Sequence, residues 1–273
     1  MNIVTILISA GTLLGLAVIF SYILGWASNA FKVEIDPRAE AALEVLPGAN
    51  CGGCGYVGCG AYASAVAAEK AAVTLCSVGG PNCAAELAAI MGVEVGETFP
   101  LRAVVHCGAH TEDRLQRNEY RGEQKCFTAN FVNGIQGCVY GCLGFGDCVE
   151  ACNYDAIQVV DGLATVDNQN CIGCGMCAKA CPRNIITIIP FKKESILVVP
   201  CSNHDAGKLV KSVCKVGCIG CKACTRVSKI FSVVDNLSVI DYDKYLEADE
   251  EELAKAAEKC PVKMLTFLKM RTK

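Results

Sequence analysis

The sequence predicts an α+β chain: one apolar N-terminal helix, then small cysteine-rich units, the last two of them copies of one pattern. Three observations carry this reading. The first 31 residues hold no charged side chain. The 273 residues include 21 cysteines and a single tryptophan, so the chain is not organised around one large aromatic core. Finally, VVDGLATVDNQN from Val159 returns as VVDNLSVIDYDK from Val233, and CPRNIITI from Cys181 returns as CPVKMLTF from Cys260. Such self-similarity means two copies of one supersecondary unit.

The apolar run Ile6 to Trp26 is long enough to cross a bilayer as a helix, which takes roughly 20 residues. A signal peptide needs a basic stretch before a shorter apolar core, and no Lys or Arg precedes Lys32. The run therefore reads as an anchor, with Tyr22 and Trp26 as interfacial aromatics. Lys32 and Arg38 follow it, which puts the rest of the chain on the cytoplasmic side. That compartment keeps thiols reduced and disfavours a disulfide framework. Twenty-five basic against 28 acidic residues leave a net charge of −3, without the basic excess of a nucleic-acid binder.

Asp36 and Pro37 form a helix start, and Pro47-Gly48 ends that helix. In NCGGCGYVGC, glycines let the backbone turn tightly around Cys51, Cys54 and Cys59. An Ala-rich helix, about Tyr62 to Val73, returns the chain to Cys76. A helix at 84–91 and the strand LRAVVHC follow. The expected units are 1–31 (anchor), 32–100 (stalk and first cysteine site), 101–195 and 196–273 (the two copies).

Three kinds of chemistry compete for the thiols: disulfides, zinc and iron–sulfur clusters. CIGCGMCAKACP decides for the last at its own position. Three cysteines at x2 spacing bind three irons of a cubane, and the fourth, ahead of a proline, reaches a neighbouring cluster. Under this crossed rule one [4Fe-4S] cluster takes Cys152, Cys171, Cys174 and Cys177. Upstream, GCVYGCLGFGDCVEAC has Phe145 where the second copy has Cys221, and Cys138 is the expected substitute. The other cluster then takes Cys138, Cys142, Cys148 and Cys181. This alternation of cysteine loops and short strand pairs is the layout of a two-cluster ferredoxin fold.

The second copy lacks four of these cysteines. Ser228 stands where a fourth loop cysteine belongs, Tyr245 stands for Cys171, and LEADEEELAKAAEK replaces IGCGMCAKA. The crossed rule assigns all four losses to one cluster. Cys218, Cys221, Cys224 and Cys260 remain to hold a single cluster, and a helix over about 247–259 fills the vacated space. Cys51, Cys54, Cys59 and Cys76 form a separate four-thiol site for which structural zinc is the competing reading. Five cysteines are left over: Cys83, Cys107, Cys126, Cys201 and Cys214. They read as buried small hydrophobes or free thiols, with Cys107, Cys126, Cys201 and Cys214 as an alternative fifth metal site.

His106, His110 and His204 have no catalytic partner at readable spacing. Neither GxGxxG nor GxxxxGK is present, so no catalytic, flavin or nucleotide site is expected here. Between Lys192 and Lys229, eight basic residues face only Glu194 and Asp205. They either offset cluster charge or dock an acidic redox partner.

The anchor, NCGGCGYVGC with Cys76, GCVYGCLGFGDCVEAC, CIGCGMCAKACPRN and CKVGCIGCKAC together resemble the B subunits of Rnf complexes. These belong to membrane-bound ferredoxin:NAD oxidoreductases that pump Na+ or H+. The resemblance implies an electron-transfer subunit that accepts electrons from soluble ferredoxin and relays them through [4Fe-4S] clusters to the other subunits of the complex. It also implies that the chain has no substrate-converting site of its own.

Overall fold

A computed structural model describes residues 3–31 and 36–270. Lys32 and the C-terminal residues 271–273 lie outside the described residues, as do Met1 and Asn2. Helix α1, Ile3–Ala30, contains a 24-residue stretch, Leu7–Ala30, with mean hydropathy 2.1 and no burial against the rest of the protein. Large apolar side chains, among them Leu7, Leu14, Phe20, Leu24 and Trp26, are exposed along its length. At 1.5 Å per residue its 28 residues span about 42 Å.

Helix α2, Pro37–Val45, begins as expected: the Asp36 carboxylate accepts the Arg38 N–H at 2.9 Å. Helix α3, Cys59–Ala67, is shorter and starts earlier than the Ala-rich composition suggests. Glu69 adopts a left-handed φ of 58° and stops it. The Tyr62 hydroxyl then donates to the Ala72 carbonyl at 2.8 Å, tying down the return toward Cys76. Helix α4, Gly80–Met91, ends at left-handed Gly92. Helices α2, α3 and α4 bury Ala42, Leu46, Tyr62, Val66 and Leu87 together.

The first copy consists of β1 (Leu101–Val105), α5 (Cys126–Ala129), α6 (Asp147–Glu150), β2 (Ile157–Val160), β3 (Leu163–Val166), α7 (Met176–Ala180) and β4 (Ile186–Pro190). The second consists of β5 (Ser195–Val198), α8 (Gly207–Val213), β6 (Phe231–Val234), β7 (Leu237–Ile240), α9 (Glu250–Glu258) and β8 (Thr266–Lys269). Each copy makes the same two antiparallel pairs. The outer strands pair as β1 with β4 (Leu101 opposite Pro190) and β5 with β8 (Ser195 opposite Lys269). The hairpins β2–β3 and β6–β7 turn on Asp161-Gly162 and Asp235-Asn236, all four residues at positive φ. Two left-handed residues are what a tight hairpin whose twist matches its strands requires.

The cysteine loops press against these turns. A Cβ on Gly144 would run into the Gly162 carbonyl, and one on Gly220 would lie 2.6 Å from the Asn236 carbonyl oxygen. Both glycines also have positive φ. Close approach and backbone conformation both demand glycine at this repeated position.

The second copy fills its vacated space as the sequence suggests. Tyr245 is fully buried and stacks on Tyr242, with Leu253 and Ala256 of α9 in the same core. Its hydroxyl accepts the Leu197 N–H at 2.6 Å. At the matching position of the first copy, Ala103 N–H points to Cys171 Sγ at 3.4 Å. A phenol oxygen thus takes the hydrogen bond that a cysteine sulfur takes in the other copy. Ser228, also buried, stands where the first copy has Cys152.

Candidate metal centres

Four cavities are each lined by four cysteines. One is lined by Cys152, Cys171, Cys174 and Cys177. A second is lined by Cys126, Cys142, Cys148 and Cys181. A third is lined by Cys218, Cys221, Cys224 and Cys260. The fourth is lined by Cys107, Cys138, Cys201 and Cys214. The fifth cysteine group is the loop of Cys51, Cys54, Cys59 and Cys76. Asn50 orders it by accepting the Cys59 N–H at 2.8 Å, and Gly79 N–H points to Cys76 Sγ at 3.4 Å.

Cys126 and Cys138 exchange the positions expected from spacing. Cys138 does not line the cavity of Cys142, Cys148 and Cys181, and Cys126 does not line that of Cys107, Cys201 and Cys214. The cause is Asp147, which sits next to Cys148. Its carboxylate caps the first turn of α5, accepting the N–H groups of Cys126 (2.7 Å) and Phe127 (2.8 Å). This pins Cys126 beside Phe145 and Asp147, the place that Cys221 occupies in the second copy. Phe145 itself turns away to pack on Tyr120. The usable signal lay in the repeat: Cys138 aligns with Cys214, not with any residue of the 218–260 set.

Each of these pockets gathers four thiols. A tetrahedral zinc site would place its thiolates about 2.3 Å from a common centre. The thiols instead ring cavities, and crowding makes their charged forms costly. Burial, then the neighbouring cysteines, push Cys148 up to about 12 and Cys177 up to about 11. Burial likewise drives Cys201 to about 11, although the N–H groups of Asn203 and Cys218 work against it. Thiols raised so far are neutral at ordinary pH; a cationic guest would displace those protons and bind thiolates. Donor type and donor number both fit [4Fe-4S] clusters.

The groups adjoin one another in a fixed order. The Cys51 loop lies on the loop of Cys174: a Cβ on Gly53 would sit 2.7 Å from the Cys174 carbonyl oxygen, and Lys179 Nζ donates to the Gly52 carbonyl at 3.1 Å. Cys177 and Cys148, from adjoining cavities, lie near enough to raise the latter's pKa. Cys83 is buried at the back of the first group, with its sulfur near the Val45 carbonyl and its thiol pushed up to about 12 by burial.

Two of the three histidines have packing roles. His106 bonds the Val199 carbonyl and the Thr187 hydroxyl, and burial lowers its pKa. His204 packs edge-on against Tyr140.

A family model for an Fe-S cluster matches residues 46–78, and a 4Fe-4S binding domain matches residues 164–187. The B subunit of the Na(+)-translocating ferredoxin:NAD(+) oxidoreductase complex of Acetobacterium woodii is 40% identical over 265 residues, spanning 96% of this chain and 78% of the relative. The B subunit of the ion-translocating oxidoreductase complex of Methanosarcina acetivorans is 38% identical over 86% of this chain and 90% of its own length. The proton-translocating counterpart of Clostridium ljungdahlii is 34% identical over 96% of this chain and 91% of its own. The chain belongs to the family of Rnf B subunits. Within this family chain, the two domain matches cover the Cys51–Cys76 group and Cys171–Cys181, whereas Cys107, Cys126, Cys138, Cys201, Cys214 and the 218–260 set lie outside them.

Proposed function

We propose that this chain is the iron–sulfur electron-transfer subunit of an Rnf-type ferredoxin:NAD oxidoreductase that moves Na+ or H+ across a membrane. The observation that carries this is the adjoining series of four-thiol groups, within a chain related over nearly its whole length to such subunits. Four [4Fe-4S] clusters are assigned to Cys51, Cys54, Cys59 and Cys76; to Cys152, Cys171, Cys174 and Cys177; to Cys126, Cys142, Cys148 and Cys181; and to Cys218, Cys221, Cys224 and Cys260. A bound cluster supplies one-electron exchange with no proton or group transfer. The chain's own residues supply the thiolates, exclude water around them and direct N–H groups at the sulfurs, which tunes potential.

The segments 1–31, 32–100, 101–195 and 196–273 serve in this reading as anchor, membrane-proximal unit and two ferredoxin-like units. Helix α1 holds the chain to the membrane, with the bulk of it on the cytoplasmic side and the Cys51 group nearest the anchor in sequence. Soluble ferredoxin docks at the far end, on the second copy. There Cys221 is exposed, and Lys208, Lys211, Lys215, Lys222, Arg226 and Lys229 are all exposed around the loops that carry it. Lys192 and Lys193 are engaged internally, donating to the carbonyls of Asp243 and Ala248. A basic rim of this kind speeds encounter with an acidic partner and weakens with salt. Electrons leave through the remaining members of the complex, because no catalytic, flavin or nucleotide site is assigned to this chain.

The test is the metal content of the full chain produced anaerobically. Iron and acid-labile sulfide in about equal amounts, with little zinc, support the reading. Zinc without sulfide overturns it and leaves a membrane-tethered interaction module.

A further inference from the structure

The cavity at the junction of the two copies is lined by four thiols that neither matched domain covers: Cys107, Cys138, Cys201 and Cys214. We propose that these four hold a fifth [4Fe-4S] cluster, shared between the two copies; the proposal rests on the iron–sulfur reading above and adds a site to it.

The first argument is symmetry. Cys107 and Cys201 close the matching stretches VVHC and VVPC, just after β1 and β5. Cys138 and Cys214 each stand four residues ahead of matching cysteines, Cys142 and Cys218. Each copy thus contributes the same two positions. Buried thiols kept only as small hydrophobes have no reason to meet as two repeat-related pairs in one cavity.

The second argument is the wall around the thiols. Cys218 N–H donates to Cys201 Sγ at 3.3 Å, and Asn203 Nδ2 lies 3.5 Å from Cys138 Sγ. Such donors favour sulfur in its charged form.

Arg114 is the third. It lines the cavity and is only 7% exposed. Its Nε and Nη2 donate to the Ala109 carbonyl, and Nη2 also to Gly162, but Nη1 is buried with no partner. A buried guanidinium on the cavity wall is stabilised by negative charge nearby, and four thiolates around an oxidised cubane carry roughly −2. On another side, Arg183 Nη1 bonds the carbonyls of Cys138 (3.1 Å) and Gly141 (2.6 Å) and holds the Cys138 loop in place.

The location gives the site its meaning. Cys107 packs in one core with Cys142, a member of the 126–181 set, and Cys201 takes the N–H of Cys218, a member of the 218–260 set. In the second copy Tyr245 fills the place of a second internal cluster, which would leave the 218–260 set without a neighbour. The shared site restores one, midway between the copies.

The experiment counts iron, sulfide and zinc, and intact clusters by native mass spectrometry, on the full anaerobic chain and its variants. The expected wild-type result is about 20 iron and 20 sulfide, five cubanes. Cys138→Ala and Cys214→Ala should each lose about four iron, and the double variant no more than either alone. Cys126→Ala should lose a different four, so that with Cys138→Ala about eight are lost. A wild-type count near 16 iron with full sulfide, or one zinc in this cavity, would overturn the fifth cluster and leave the other four standing. A sulfide-free wild type would instead overturn the reading on which it rests. The wild-type count decides even where a variant fails to accumulate.

Discussion

Replacing Tyr245 tests whether an aromatic side chain has taken over the space of a lost cluster. Its ring is fully buried against Tyr242 and α9, and its hydroxyl accepts the Leu197 N–H at 2.6 Å. Tyr245→Phe keeps the ring but strands a buried donor, at a cost of about 1–3 kcal/mol. Tyr245→Ala removes the ring as well and should cost about 3–5 kcal/mol, as for other large aromatic truncations. Hydrogen exchange on the loaded full chain is the suitable assay, because it reads local opening without requiring reversible unfolding. In the Phe variant the Leu197 amide should exchange roughly 5- to 150-fold faster, the range that corresponds to the lost hydrogen bond. The hairpin β2–β3 of the first copy should keep its wild-type rate. In the Ala variant, loss of protection should spread across β5, β8 and α9, which share that core. Unchanged exchange at Leu197 in the Phe variant, together with a stable Ala variant, would refute the idea that Tyr245 fills the vacated site.

Other outcomes follow from the same geometry. Asp147→Ala frees the first turn of α5; Cys126 should then be held less well, and iron should leave the 126–181 site faster under chelator challenge while the 218–260 site keeps its rate. Asp147→Asn, which keeps an acceptor oxygen, should fall between the two. Charge reversal at Lys215 and Lys222 should lower the rate of reduction by ferredoxin and flatten its salt dependence without altering the iron count; an unchanged rate would assign these lysines to charge compensation alone.

Much of the fold was legible because it is repeated. VVDG and VVDN give the same hairpin, and Gly144 and Gly220 meet the same turn in each copy. The concerted loss of cysteines foretold a filled space, and Tyr245 and α9 fill it. The boundary of α3 was less legible, since its end is set by left-handed Glu69 and the pull of Tyr62 rather than by Ala content. Cys126 was hidden for another reason. It arrives on an insertion between β1 and α6, and the contact that places it is a carboxylate 21 residues away. Linear spacing carries no trace of such a contact. Cys138, four residues ahead of Cys142, invited assignment to the nearest loop, whereas its equivalence to Cys214 pointed across the junction of the copies.

The most direct test of electron carriage is an anaerobic titration of the full, cluster-loaded chain with reduced ferredoxin, followed by visible bleaching and spin quantitation. The account predicts bleaching that saturates near one electron per cluster, about five per chain, slowed by salt. A chain of full iron and sulfide content that reduced ferredoxin leaves unbleached would contradict it.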